Sequence, residues 1–105
     1  MPPTYLTRRR FRKWLESNDK DVQVGATYST TTCPIAIYMR DVQELRTPVV
    51  SSRDRQDNFG WHQNPPWMRE FIRLVDGSKG LVRGETITAK TALDILDKVE
   101  FHLGL

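Results

Sequence analysis

One helical pattern decides the fold, and it lies at residues 64–77, which read NPPWMREFIRLVDG. Two prolines suit the first turn of a helix, where the backbone amides have no partner to lose, and the closing Asp-Gly pair is typical of a helix end. Between these limits the apolar residues recur at helical spacing: Trp67, Met68, Phe71, Ile72, Leu74 and Val75. The pattern predicts a largely buried helix.

Three further segments carry helical patterns. Residues 7–18 begin with a plausible N-cap, Thr7, and a second helix begins at 32–34 and is stopped before Pro48. A last helix begins after a second capping threonine, Thr88. The apolar residues expected to face the core in these helices are Phe11, Trp14, Leu15, Ile35, Tyr38, Met39, Val42, Leu45, Ala92, Leu96, Val99 and Leu103. We expect the last two helices to pack as a hairpin.

Short strands are expected between the helices. Residues 22–28 alternate apolar and polar side chains, residues 48–51 can begin a second strand, and a third is possible near 59–61. Residues 51–64 are otherwise polar and rich in turn formers, which predicts a long polar loop that is functional, mobile or hides a short strand.

These elements predict a small α+β domain with about four helices and a two- or three-stranded sheet. We expect residues 1–105 to form a single domain, with residues 1–6 disordered.

The composition excludes several classes of protein. One cysteine cannot form an intramolecular disulfide, so we expect a reducing, cytoplasmic location. No stretch approaches the roughly 18 consecutive apolar residues of a membrane helix, so no membrane partner is expected. One cysteine and two distant histidines cannot supply the four ligands of a structural zinc site, and no calcium or phosphate loop is present. We therefore expect no metal and no cofactor.

Positive charge is concentrated at the start of the chain. The net charge is +3, yet residues 1–20 hold six basic and two acidic residues, whereas the remainder holds ten basic and eleven acidic ones. Three arginines in the first turn of a helix oppose its macrodipole, so local stability does not explain them. We expect only a weak surface pair between Arg12 and Glu16.

The basic run favours a non-enzymatic protein that contacts nucleic-acid phosphates and acts as a regulator or accessory factor. The candidate nucleic-acid-binding residues are Arg8, Arg9, Arg10, Arg12 and Lys13. The alternative for these residues is an ordinary solvated helix face, with Phe11 and Trp14 in the core. A helix-turn-helix reader is disfavoured, because the connection at 77–87 is far longer than the usual turn of three or four residues.

A second hypothesis is a protein-interaction module or inhibitor that uses an aromatic segment. Aromatic residues beside a double proline form a stiff surface of the kind that anchors protein partners, unless the indoles fold back over the core. The candidate protein-binding residues are Phe59, Trp61, His62 and Trp67.

The enzymatic candidate is Cys33, because the amides at a helix N-terminus favour a thiolate. No partner base stands at a recognisable spacing from it, and a small buried residue is the alternative. We therefore expect no enzymatic activity and assign no catalytic residue.

Overall fold

The structure, a computed structural model, describes residues 6–27, 29–45, 48–57, 60–77 and 85–105. Its elements in chain order are α1 (Arg8–Ser17), β1 (Gln23–Ala26), α2 (Pro34–Asp41), β2 (Val49–Val50), β3 (Asp54–Asp57), β4 (Gly60–Gln63), α3 (Pro66–Asp76), β5 (Thr86–Thr88) and α4 (Ala89–Leu103). This architecture confirms the predicted α+β class. The strands form two separate antiparallel sheets, with the orders β1-β5 and β2-β3-β4, where one sheet was expected.

The helix starts follow from the capping residues. The Thr7 side chain accepts a hydrogen bond from the Arg10 amide, and the Thr88 side chain accepts one from the Thr91 amide, so both predicted N-caps are confirmed. Helix α2 begins at Pro34 but ends at Asp41, before the predicted stop. Glu44 follows with a φ of +57°, a conformation outside the helix, and Leu45 nevertheless turns back into the core.

The segment 51–64, predicted as a long polar loop that is functional, mobile or hides a short strand, contains two strands, β3 and β4. Strands β3 and β4 pair as a hairpin in which Arg55 lies opposite His62 and Gln56 opposite Trp61. Gly60 opens β4 with a φ of +116°, a conformation that favours glycine. These strands form a small sheet with much of its surface exposed to solvent. Their sequences therefore lack the alternation of apolar and polar residues that is typical of half-buried strands.

Strand β1 is shorter and less regular than the alternation at 22–28 suggested. Its register with β5 shifts between Gln23 and Gly25, and the expected inward-facing Val22 is 40% exposed. An irregularity of this kind changes which face the following side chains occupy. Gly25 contacts the start of α2 so closely that a Cβ there would lie 2.5 Å from the Pro34 nitrogen.

Helix α3 lies in the core, as predicted, and it corrects one candidate binding residue. Trp67 is buried among the other rings, with its centroid 5.8 Å from that of Phe11, so it does not belong to an exposed aromatic surface. Phe71 contacts Phe11 edge to face at 5.2 Å. Helix α3 begins at Pro66 and Trp67 in its first turn is buried, whereas Trp61, His62 and Gln63 of the preceding strand are exposed.

Helix α4 packs against α3 and runs antiparallel to α1. The Lys90 amide donates to the Lys20 carbonyl at one end of this pair, while Arg8 contacts Glu100 at the other. Of the predicted apolar stripe of α4, Leu103 is 40% exposed and the other members are buried. Strand β5 separates α3 from α4, so the expected hairpin of two helices contains an intervening strand.

The expected disorder of residues 1–6 falls outside the described residues except at Leu6, which packs against the core. In the part of the chain that the structure describes, no helix combines the length and the apolar character needed to cross a bilayer.

Candidate functional site

Two of the five candidate phosphate-binding residues of α1 are held by acidic residues of α4. Arg8 Nε lies 3.0 Å from Glu100 Oε2, and Arg12 Nη2 lies 2.6 Å from Asp97 Oδ1. Arg12 Nη2 also donates a close hydrogen bond to Glu100 Oε1. We call these four residues the ion-pair cluster. They orient α1 on α4, and they replace the expected pair between Arg12 and Glu16.

The ion-pair cluster is partly shielded from water. The side chains of Arg12 and Glu100 are 24% and 22% exposed, whereas that of Asp97 is 64% exposed. Partial burial disfavours the guanidinium charge, but hydrogen bonds to Asp97 and Glu100 outweigh this effect and raise the pKa of Arg12. Arg12 therefore stays charged and engaged within the protein.

The other three cations lie on the outward side of α1. Arg9, Arg10 and Lys13 are exposed, and none of them has an acidic partner among the described residues. We call these three residues the basic face. Helical periodicity explains the division: Arg8 and Arg12 lie one turn apart beside the core residues Phe11 and Leu15, whereas the basic face projects away from them.

An apolar depression adjoins the basic face where α1 meets α2. We call it the Trp14 pocket, and it is lined by Arg10, Lys13, Trp14, Ser17, Tyr38 and Val42. It is open to solvent, with a volume of about 300 Å³. Its floor is apolar and its rim carries two of the three cations of the basic face.

Trp14 is the aromatic residue that the pocket exposes. It is half-buried, whereas Phe11 and Tyr38 behind it are buried. The Trp14 and Tyr38 rings meet edge to face with centroids 5.4 Å apart, and the Phe11 ring lies 5.9 Å from Trp14. Burial raises the pKa of Tyr38, and the positive charge of Arg10 offsets part of this shift. Of the two aromatic residues expected in the core of this helix, Phe11 is therefore fully buried and Trp14 only partly.

The aromatic segment is divided by the fold. Trp61 is 60% exposed and His62 is exposed, both on β4, which is an edge strand of its sheet. Trp67 is buried on α3, and Phe59 lies outside the described residues. Trp61 and His62 are therefore the described candidates that remain on the surface.

Cys33 lies at the N-cap of α2, where its Sγ accepts a hydrogen bond from the Ala36 amide. The thiol is buried, and burial raises the pKa of Cys33 to about 11, despite that hydrogen bond. It lines a cavity of about 210 Å³ together with Pro34, Phe71 and Asp76. Because the thiolate is the nucleophilic form, this environment disfavours the chemistry considered for Cys33. No group of three metal-ligating side chains occurs within the described ranges.

Two features of the site were missed by sequence reasoning. Asp97 and Glu100 are three residues apart on the last helix, so a shared helical face could be expected, but no local pattern connects that face to α1. Tyr38 and Val42 were interpreted as core residues, yet Val42 is 39% exposed and borders the Trp14 pocket. Comparison with protein-family models, with curated proteins and with solved structures finds no match to this chain.

Proposed function

We propose that this protein is a small non-enzymatic binding protein that contacts nucleic-acid phosphates through the basic face of α1, as a regulator or accessory factor. The observation that carries the proposal is uncompensated positive charge. Arg9, Arg10 and Lys13 lie together on the surface with no acidic partner among the described residues. Neighbouring Arg8 and Arg12, by contrast, are both neutralised by α4.

The position of the basic face adds to this argument. Arg9 and Arg10 lie in the first turn of α1, where the helix macrodipole disfavours a cation by a few tenths to about 1 kcal/mol. Bound phosphate would neutralise these cations, and it would release counterions from the nucleic acid. Arginine also suits phosphate geometrically, because its guanidinium donates two parallel hydrogen bonds.

The number of exposed cations on the basic face sets the expected number of phosphate contacts. Three free cations predict that the logarithm of the affinity falls with the logarithm of salt concentration at a slope of about −2 to −3. A steeper slope would show that cations outside the basic face also contact phosphate. In the proposed complex Arg8 and Arg12 hold α1 on the domain and do not contact phosphate.

The test compares two triple variants of equal charge. In Arg9→Gln/Arg10→Gln/Lys13→Gln the basic face is neutralised, and in Lys20→Gln/Lys90→Gln/Lys98→Gln three exposed lysines elsewhere are neutralised. Fluorescence anisotropy with labelled duplex DNA, single-stranded DNA and RNA, at low and near-physiological salt, measures the affinity. We expect the first variant to lose about tenfold or more in affinity and most of the salt dependence, and the second to retain most of both.

Equal losses in the two triple variants would show that only net charge matters, and they would contradict the assignment to the basic face. Absence of binding by the unmodified protein at low salt would contradict the function itself.

A second candidate function is supported by Trp61. A large aromatic side chain that is 60% exposed on an edge strand is a feature of protein-binding surfaces, and His62 and Gln63 extend the exposed surface along β4. Trp61→Ala should abolish capture of a protein partner, while its free energy of unfolding stays within about 0.5 kcal/mol of that of the unmodified protein. Trp67→Ala should cost about 3–5 kcal/mol, since Trp67 is buried. Unchanged capture by Trp61→Ala would remove this candidate.

We place this function in the cytoplasm. The proposal is supported by the lone, buried Cys33, which has no cysteine partner for a disulfide.

A further inference from the structure

We infer that the nucleic acid bound by the basic face is single-stranded, and that one of its bases occupies the Trp14 pocket while its phosphates contact Arg10 and Lys13. The inference rests on the proposed function and specifies its substrate class. Its basis is the juxtaposition of an apolar depression, a partly exposed indole and two free cations at one edge of α1.

The pocket combines the two elements that single-strand binding requires. Arg10 and Lys13 belong both to the basic face and to the rim of the pocket, so a phosphate held by them has its attached nucleotide beside Trp14. Proteins that bind single strands pair a positively charged path with aromatic side chains on which unpaired bases stack. A duplex keeps its base faces stacked inside, so it would use the cations and leave the indole without a contact.

The indole is held in place before any ligand binds. Its ring packs edge to face against Tyr38 and at a tilt against Phe11, and both of these residues are buried. The Asn18 side-chain amide donates to the Trp14 carbonyl at 2.8 Å and secures the end of the helix. An aromatic surface fixed in this way loses little conformational entropy on binding.

The rim of the pocket favours this occupant over an apolar protein segment. An apolar helix or loop inserted beside Val42 would bring no negative charge to Arg10 and Lys13 and would partly desolvate them. A nucleotide supplies a flat aromatic ring for the floor and an anion for the rim. The depression is open to solvent and its surface is mainly apolar, so a flat ring can lie against it without entering a closed cavity.

The experiment uses the full chain and two matched pairs of variants. Trp14→Leu removes the stacking surface, and Phe101→Leu is its control, because Phe101 on α4 is 85% exposed and lies outside both proposed binding surfaces. Val42→Gln places a polar side chain over the pocket without adding charge. Val22→Gln is its control, because Val22 and Val42 are 40% and 39% exposed. The probes are a labelled oligo-dT and a labelled oligo-rU of about 15 nucleotides and a mixed-sequence duplex of equal length, near the upper site size of a small single-strand-binding fold.

We expect the unmodified protein to prefer the single strands over the duplex by about tenfold. Trp14→Leu should weaken single-strand binding by about 5- to 150-fold, the range for loss of one stacked base, and leave duplex binding unchanged. Val42→Gln should also reduce the preference for single strands over duplex, and both control variants should retain that preference. If Trp14→Leu does not fold, Val42→Gln decides the result.

Equal affinity of the unmodified protein for single strands and duplex would overturn the inference. So would an equal loss of both affinities in Val42→Gln. In either case phosphate binding through the basic face would stand if the triple variant of that face still lost binding. No binding to any of the probes at low salt would overturn the proposed function as well.

Discussion

Basic residues lie on both sides of α1, but those on one side are paired with acidic residues and those on the other are exposed to solvent. On the side facing α4, Arg8 and Arg12 are partly shielded and bonded to Glu100, whereas on the outward side Arg9, Arg10 and Lys13 remain exposed and unpaired among the described residues. Neighbours in sequence thus have different roles because a helix turns successive side chains to different faces. A basic run therefore cannot be interpreted as one unit: part of it pairs with α4 and part of it is exposed to solvent.

Of the variants of α1 and its partners, the largest loss of stability is expected on the side that faces α4. Glu100→Gln removes the carboxylate that contacts both Arg8 and Arg12, and these two arginines are partly desolvated. We therefore expect the free energy of unfolding to fall by about 1–3 kcal/mol. Urea denaturation followed by tryptophan fluorescence measures the change. Glu16→Gln is the control, since Glu16 is an exposed glutamate on α1 and should stay within about 0.5 kcal/mol. Equal stability of the two variants would show that the ion-pair cluster contributes nothing beyond a surface charge.

A smaller difference in stability is expected between variants of the adjacent residues Arg8 and Arg9. Both variants, Arg8→Gln and Arg9→Gln, remove a first-turn cation, which should stabilise the helix by a few tenths of a kcal/mol. Arg8→Gln also loses the contact with Glu100, which should cost about 0.2–1 kcal/mol. The urea midpoint of Arg8→Gln, measured at low salt, should therefore lie below that of Arg9→Gln. Near 1 M salt the difference should shrink, because the Debye length falls to about 3 Å. Equal midpoints at low salt would contradict the division of α1 into two sides.

Much of the fold was predictable because its helices follow local rules. The caps at Thr7 and Thr88 and the apolar face of α3 are set by residues within a few positions of one another. The hairpin of β3 and β4 was not predictable in the same way, since its strands carry polar residues on both faces. Burial of Trp67 beside exposed Trp61 depends on where α3 begins relative to the sheet, which is a tertiary property.

The candidate site was predictable only as a segment. The sequence shows five basic residues on one helix, but which of them are neutralised depends on Asp97 and Glu100, more than 80 residues away. Exposure of Trp14 likewise depends on how closely Tyr38 and Val42 of α2 cover it. Charge runs reveal where a ligand could bind, and the partners brought in by the fold decide which charges remain available.

The contact between α1 and α4 also has a consequence for the order of events during synthesis. The hydrogen bonds of Arg12 span 85 and 88 positions of the chain, so the first helix acquires its partner only after nearly the whole domain has left the ribosome. Contacts this distant in sequence slow folding, because a long loop must close before they are formed. Until Glu100 is exposed, Arg8 and Arg12 lack their acidic partners, so the nascent segment carries more uncompensated positive charge than the folded protein keeps.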